Sequence, residues 1–351
     1  MKRPRIITII PAHNEEHAIG ATLQTVINQP FPATRIIVAL DNCTDRTIDE
    51  VKKFPSVKYF KTKNNTGKKA GALNQAVIYM LKKFVAPDYI LQMDADTLLD
   101  ERAIEAGVEE LKNNPELAGV CNRFRVREYL GGSKLLYSLQ ALDFSFNDSN
   151  QVEKRLEANV LSGTATMLRW SALEEIRNSE ATIWDESSSV EDYRLTLDLK
   201  KNGWKVRVGK KMSTRTDYMP TLKKLWAQRK RWSYGTIEEL MVDGWQNHTK
   251  RDILTLLFSV TIMTFTIFFL SLLTVLLVTG QVDSWHWLGQ VLVAVVIIDR
   301  AYRCKYIRDK TVEKLVLALT IIPVIIYSVF LTACYYYSAY LVFSGKPLTK
   351  W

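Results

Sequence analysis

Residues 6–16 read IITIIPAHNEE, an uncharged run rich in β-branched residues that stops at a proline and turns into a polar cluster. A run of this length and composition is a buried strand, and the polar residues behind it mark the strand's carboxyl end. The pattern recurs along the first hundred residues. Arg35 to Leu40 is followed by Asp41, Asn42 and Asp45, and Tyr89 to Met93 by Asp94 and Asp96, with helical patterns such as Lys69 to Phe84 between them. Alternating strands and helices predict an α/β fold with a parallel sheet covered on both faces, whose ligands bind outside the strands' carboxyl ends. Three polar loops, led by Pro11, Asp41 and Asp94, then converge on one crevice.

After about Arg251 the composition changes. Ile253 to Thr279 and Leu315 to Phe343 are uncharged or nearly so and longer than the ~20 residues that span a hydrocarbon core, and each predicts a transmembrane helix. Trp285 to Ile298 is apolar but shorter, and a third span is expected there. Arg300, Arg303, Lys305, Arg308, Lys310 and Lys314 crowd the segment before the last span. Basic loops face the cytosol, which predicts an integral membrane protein with a cytosolic N-terminal domain and its C-terminus outside. Cys43, Cys121, Cys304 and Cys334 show neither disulfide nor zinc spacing, as suits a reducing compartment. The formal charge of +10 suits anionic lipid and phosphorylated substrates, and by itself would equally suit nucleic acid. The expected organisation is a catalytic domain over 1–220, an amphipathic segment over 221–250 and a membrane domain over 251–351. In the middle segment, Leu222, Leu225, Trp226, Trp232, Ile237 and Leu240 recur at helical spacing among lysines and arginines. That describes a helix lying in a headgroup layer or packed on the soluble domain.

Four strings carry chemistry. Asp94-Ala95-Asp96 places two carboxylates at a strand end, where they can hold a hard divalent ion that also bridges a diphosphate. Glu191 and Asp192 precede a helical pattern over Tyr193 to Asn202, either as a helix cap or as a general base for an acceptor hydroxyl. Gly67 to Asn74, GKKAGALN, lets backbone and an ammonium approach a phosphate at a helix start. Gln228 to Trp232, QRKRW, sets a guanidinium suited to phosphate beside an indole suited to a sugar face.

In order, IPAHNEE, the Asp41 loop, GKKAGALN, DAD, SGTATMLRWSAL (Ser162 to Leu173), VED with GWKV, and QRKRW resemble the inverting family 2 glycosyltransferases. The resemblance is to the membrane-bound branch of cellulose, chitin, hyaluronan and poly-N-acetylglucosamine synthases, over about 230 residues. It implies a GT-A fold with Pro11, Ala12, Glu15 and Asp41 around the uridine, Lys69 near the diphosphate, Asp94 facing the nucleotide and Asp96 the metal. It also implies Asp192 as base with Glu191 beside it, and Gln228 and Arg231 on the diphosphate. Trp232, with Gly163 and Thr164, is expected at the acceptor. Val190 stands where the family usually has threonine.

The implied function is transfer of a sugar from a UDP-sugar, N-acetylglucosamine favoured, into a β-linked polymer, with Mg²⁺ or Mn²⁺ as cofactor. Alternatives are addition of one sugar to a lipid-linked acceptor and a non-catalytic sugar-nucleotide binding module. The implied partners are the donor, a polysaccharide or lipid-linked acceptor and the bilayer, with no nucleic acid; self-association is left open.

Overall fold

A computed structural model describes residues 3–149, 157–179, 182–280, 294 and 297–348. It divides into two compact units, the first comprising Met1–Glu128 and Asn147–Tyr218, the second Tyr129–Phe146 and Met219–Trp351.

The first unit is built on an eight-stranded sheet of order β3-β2-β1-β4-β7-β6-β8-β5. Its strands are β1 (Ile6–Ala12), β2 (Arg35–Leu40), β3 (Lys58–Lys61), β4 (Tyr89–Met93), β5 (Leu98–Leu99), β6 (Leu117–Val126), β7 (Ala165–Arg169) and β8 (Lys205–Thr216). Alternation along each strand sends side chains to two separate cores. Ile7, Ile9, Ile37 and Ile90 join the core under α3 (Lys68–Lys83), α6 (Trp170–Ile176) and α7 (Glu191–Lys201). Ile6, Ile10, Val38, Leu91 and Met93 join the core under α1 (Ile19–Ile27), α2 (Thr47–Lys52) and α4 (Ala103–Asn113). Burial on both faces explains why these strands read as unbroken apolar runs.

The sheet is mixed, which corrects the all-parallel expectation. β3, β2, β1 and β4 run parallel, with Ala12 opposite Leu40, so their carboxyl ends share one edge. β7 runs antiparallel to β4, with Ala165 opposite Met93. Reversal brings the start of β7, and the residues just before it, to the edge where the parallel strands end.

The second unit contains α5 (Lys134–Ser149, up to Phe146), α8 (Leu222–Asp243), α9 (Lys250–Thr279), α10 (Val312–Leu319) and α11 (Ile321–Phe343). Within its unit, α8 packs on α5 and α11. Leu225 clusters with Leu136, Leu139 and Tyr327, Trp226 meets the rings of Phe330 and Tyr337, and Ser338 Oγ donates to the Lys230 carbonyl at 3.0 Å. Two helices, Lys250–Leu276 and Ile322–Phe343, are long and apolar enough to cross a membrane. The expected single span from Leu315 is broken at Thr320, whose backbone is extended between α10 and α11. Pro323 accounts for the break: it has no N–H for the Leu319 carbonyl and its ring would crowd that oxygen in a continuous helix. The expected middle span lies almost wholly outside the described residues.

Candidate active site

The carboxyl edge of the sheet gathers most of the expected site residues. Pro11 and Ala12 end β1 and are buried. Beside them Asp41 donates its backbone N–H to the Ala12 carbonyl at 2.8 Å. The Asp41 Oδ1 accepts from Asn65 Nδ2 at 2.7 Å, Thr62 Oγ1 at 2.8 Å and Asn42 Nδ2 at 3.1 Å. A buried carboxyl group held by three neutral donors is fixed in place. Asn65 also donates to the Lys68 carbonyl and accepts from the Gly67 N–H, so one side chain ties the Asp41 loop to the start of α3.

Lys69, in the first turn of α3, is the hub. Its Nζ lies 2.5 Å from Asp94 Oδ1 and 3.1 Å from Glu191 Oε1. Burial opposes the ammonium's charge, but Asp94, Glu191 and Asp192 outweigh it and hold the lysine well above its usual range. The Asp94 N–H donates to the Thr164 carbonyl at 3.2 Å, and the Gly163 N–H donates to Asp192 Oδ2 at 3.1 Å. Gly163 is a glycine for a reason of space: a Cβ there would collide with Lys69 Nζ. Thr164 Oγ1 and Ser162 Oγ both donate to Asn122 Oδ1, which steadies the turn entering β7.

Asp192 is not a helix cap. The capping position of α7 is Val190, and Asp192 lies inside the first turn, with Oδ1 accepting the Tyr193 N–H at 2.8 Å. Burial, then the charge of Glu191, pushes its carboxyl above the usual aspartate range, against Lys69 and the two N–H donors. Two acids in the first turn also face the positive end of the helix dipole.

Asp96 is pushed up to about 6 by burial and then by Asp94 and Asp217. Glu15 is pushed up to about 7 by burial, then by Asp96, Asp94, Asp217 and Asp45. Carboxylates that hinder each other's ionisation form an all-oxygen donor set suited to a hard cation such as Mg²⁺ or Mn²⁺. Among the described residues no three His, Cys, Asp or Glu side chains form a ready-made cage. Such an ion would rest on Asp96 and Asp94 and be completed by substrate oxygens.

Two residues here, Asp217 and Glu186, escaped the sequence reading, and a third, Asn74, entered it only as the end of the GKKAGALN string. Asp217 follows β8 at its carboxyl end and could have been found by the same strand-end rule. Asn74 accepts the N–H groups of Ile183 and Trp184 and donates to the Trp184 carbonyl and Glu186 Oε1, clamping the loop that leads to α7. Glu186 sits so close to α3 that a Cβ at Gly67 or Gly71 would meet its carboxylate. Gln228, Arg231 and Trp232 lie on α8 in the second unit, all half-buried, with Gln228 Oε1 lacking a hydrogen-bond partner among the described residues.

The carboxyl edge of this GT-A-type α/β sheet thus brings together an Asp-x-Asp pair, a bridging lysine and the half-buried Asp192, an arrangement suited to a glycosyltransferase. Residues 7–177 match the model of Glycosyl transferase family 2, and the chain carries a glycosyltransferase domain of that family. It is 27% identical over 245 residues to the poly-beta-1,6-N-acetyl-D-glucosamine synthase of Staphylococcus epidermidis, a match covering 68% of this chain and 56% of that protein. It is 30% identical over 244 residues to the probable glycosyltransferase YdaM of Bacillus subtilis, covering 66% of this chain and 55% of that one. The chain thus spans about half the length of the curated relatives it matches. Among solved structures, the mannosyltransferase PcManGT from Pyrobaculum calidifontis, in complex with GDP-Man and Mn²⁺, aligns with a TM-score of 0.62. At 14% identity over 99% of this chain and 89% of that one, it shares the fold.

Proposed function

We propose that this chain is an inverting glycosyltransferase that moves a sugar from a UDP-sugar, of N-acetylglucosamine type, onto an acceptor hydroxyl, extending a β-linked polysaccharide. The observation that carries this reading is Asp192, half-buried at the start of α7, held by the Gly163 N–H and linked through Glu191 and Lys69 to Asp94. Its raised affinity for a proton suits a general base. In one displacement the acceptor hydroxyl gives its proton to Asp192 as its oxygen bonds to the anomeric carbon. The bond from that carbon to the UDP oxygen breaks on the opposite face, inverting the centre. Lys69 faces the charge that develops on the departing diphosphate, while Asp41, Pro11, Ala12 and Glu15 seat the uridine and Gly163 and Thr164 border the acceptor. A divalent ion on Asp96 and Asp94 would supply further electrostatic stabilisation of the leaving group; the Mn²⁺ named with the mannosyltransferase supports such an ion. Gln228 and Arg231 would serve the diphosphate and Trp232 the acceptor sugar.

The synthase relatives support the polymer and the amino sugar. The apolar helices and the basic residues between 300 and 314 support a bilayer-anchored enzyme, in three spans, with its catalytic unit in the cytosol. The test is to incubate the purified full chain with a panel of radiolabelled UDP-sugars, Mg²⁺ or Mn²⁺, and membrane lipid, and to size the product. A long polymer from UDP-N-acetylglucosamine is expected. A single-sugar lipid would replace the polymer reading, and no product from any donor would leave a binding module.

A further inference from the structure

The arginine in the QRKRW string that the motif does not count, Arg229, is held on several sides by residues of the second unit. Its Nη2 lies 2.8 Å from Asp143 Oδ2 on α5, with side-chain exposures of 13% and 17%. Tyr327 on α11 donates its hydroxyl to the same Oδ2 at 3.4 Å. The guanidinium carbon sits 4.6 Å from the centre of the Trp232 ring and 5.5 Å from that of Phe144. Arg229 and Trp232 are three residues apart on one helix and share a face.

We infer that Asp143 and Arg229 are positioning residues that set the Trp232 indole as a fixed platform for the acceptor sugar, an inference that rests on the acceptor reading of Trp232 above. A largely buried ion pair is a poor stability device, because apolar side chains of similar volume do as well or better. What it supplies is direction. Asp143, itself fixed by Tyr327, holds the planar guanidinium, and the guanidinium holds the indole by cation–π contact. Trp232 is only half-buried, so part of its ring stays accessible while its orientation is fixed. A sugar that stacks on it then meets a side chain with little rotamer freedom left to lose.

The experiment uses the full chain in lipid nanodiscs, with UDP-N-acetylglucosamine and a soluble β-linked N-acetylglucosamine oligosaccharide as acceptor. Asp143→Asn and Arg229→Lys should each raise the half-saturating acceptor concentration roughly tenfold, the scale of a lost cation–π contact in a desolvated setting. Turnover at saturation and UDP affinity should stay within about twofold of wild type, which a merely structural defect would not respect. Arg229→Lys retains the charge that Asp143 needs and so serves if Asp143→Asn folds poorly. In a Trp232→Ala background, Asp143→Asn should add less than about twofold, the sign of a shared effect. Multiplying effects in the double variant, or equal losses in turnover and UDP binding, overturn the inference. If Trp232→Ala weakens acceptor use while Asp143→Asn and Arg229→Lys are both silent, only the inference falls. If Trp232→Ala leaves acceptor saturation unchanged, the acceptor reading fails and takes the inference with it.

Discussion

Replacing Asp192 by Asn tests the centre of the site with little change of shape. The amide is nearly isosteric, and its oxygen can still accept the Gly163 or Tyr193 N–H that the carboxylate accepts at 3.1 and 2.8 Å. Lys69 keeps Asp94 at 2.5 Å and Glu191 at 3.1 Å, so the ammonium stays where it is. What disappears is a group able to take a proton. A positioned general base contributes about 10² to 10⁴ in rate, or roughly 2.7 to 5.5 kcal/mol of barrier, and turnover should fall by that factor. UDP affinity, read by calorimetric titration, should stay within about twofold, because Asp192 touches no part of the proposed nucleotide seat. The wild-type rate should also carry an acid limb. The base works when ionised, its pKa is raised, and activity is therefore lost as pH falls through a value above that of an ordinary aspartate. The limb should vanish with Asn. Turnover within about threefold of wild type would refute the assignment, leave Asp192 as a staple for the Gly163 turn and make Glu191→Gln the next test. Lost UDP binding would assign Asp192 to the nucleotide.

Gly163→Ala meets no backbone penalty, since Gly163 is not among the positive-φ glycines, and its Cβ collides with the terminal ammonium of Lys69, which must swing aside from its ion pairs. Melting temperature should hold while turnover drops on the order of 10- to 100-fold, the usual result of moving a catalytic group by about an ångström; an unchanged rate would show that the ammonium's position is irrelevant. Trp232→Ala should impair acceptor use far more than UDP binding and Arg231→Ala the reverse, since an indole cannot neutralise phosphate and a guanidinium can; equal losses of UDP affinity would make α8 a structural element only. Activity should require a divalent ion and vanish in excess chelator, and full activity there would sink the role of Asp96. Glu15 and Asp96, raised to about 7 and about 6, stabilise the ion-free fold below their unfolded pKa values and lose that contribution as pH rises through 6 to 7. Mn²⁺ should therefore raise the melting temperature more at about pH 8 than at about pH 5, and equal rises would place the ion elsewhere.

The parallel half of the sheet was legible because its strands are buried on both faces: Arg35 to Leu40 and Tyr89 to Met93 are the observed β2 and β4, residue for residue. The polar loops after them were legible for the same reason, since an apolar run that ends abruptly shows where the crevice begins. β7 was not, because five residues, Ala165–Arg169, carry no mark of direction, and direction is what sets Gly163 beside Asp192. Asn74 and Glu186 were invisible as partners because their contact spans more than a hundred residues. Whether Asp192 caps its helix stayed open in the sequence, because acids are common both at a cap and just inside it; the backbone puts the cap at Val190, two residues earlier. α5 was missed altogether, its apolar residues being shared among partners far away in the chain.

That helix changes what it means to cut this protein. The chain leaves the first unit after Glu128, returns at Asn147 and leaves again after Tyr218. A fragment ending near residue 218 would still carry α5, with Leu136 and Leu139 stripped of Leu225 and Tyr327, and Leu142 of Ile307 and Ala318. Each such leucine would return about 1.5 to 3 kcal/mol of apolar burial to water, enough to make the fragment sticky. The second unit takes its chain from two separate stretches, one of them lying between the two stretches of the first unit. A soluble catalytic fragment therefore needs two excisions, everything after residue 218 and the excursion over 129–146, with a polar linker joining Glu128 to Asn147.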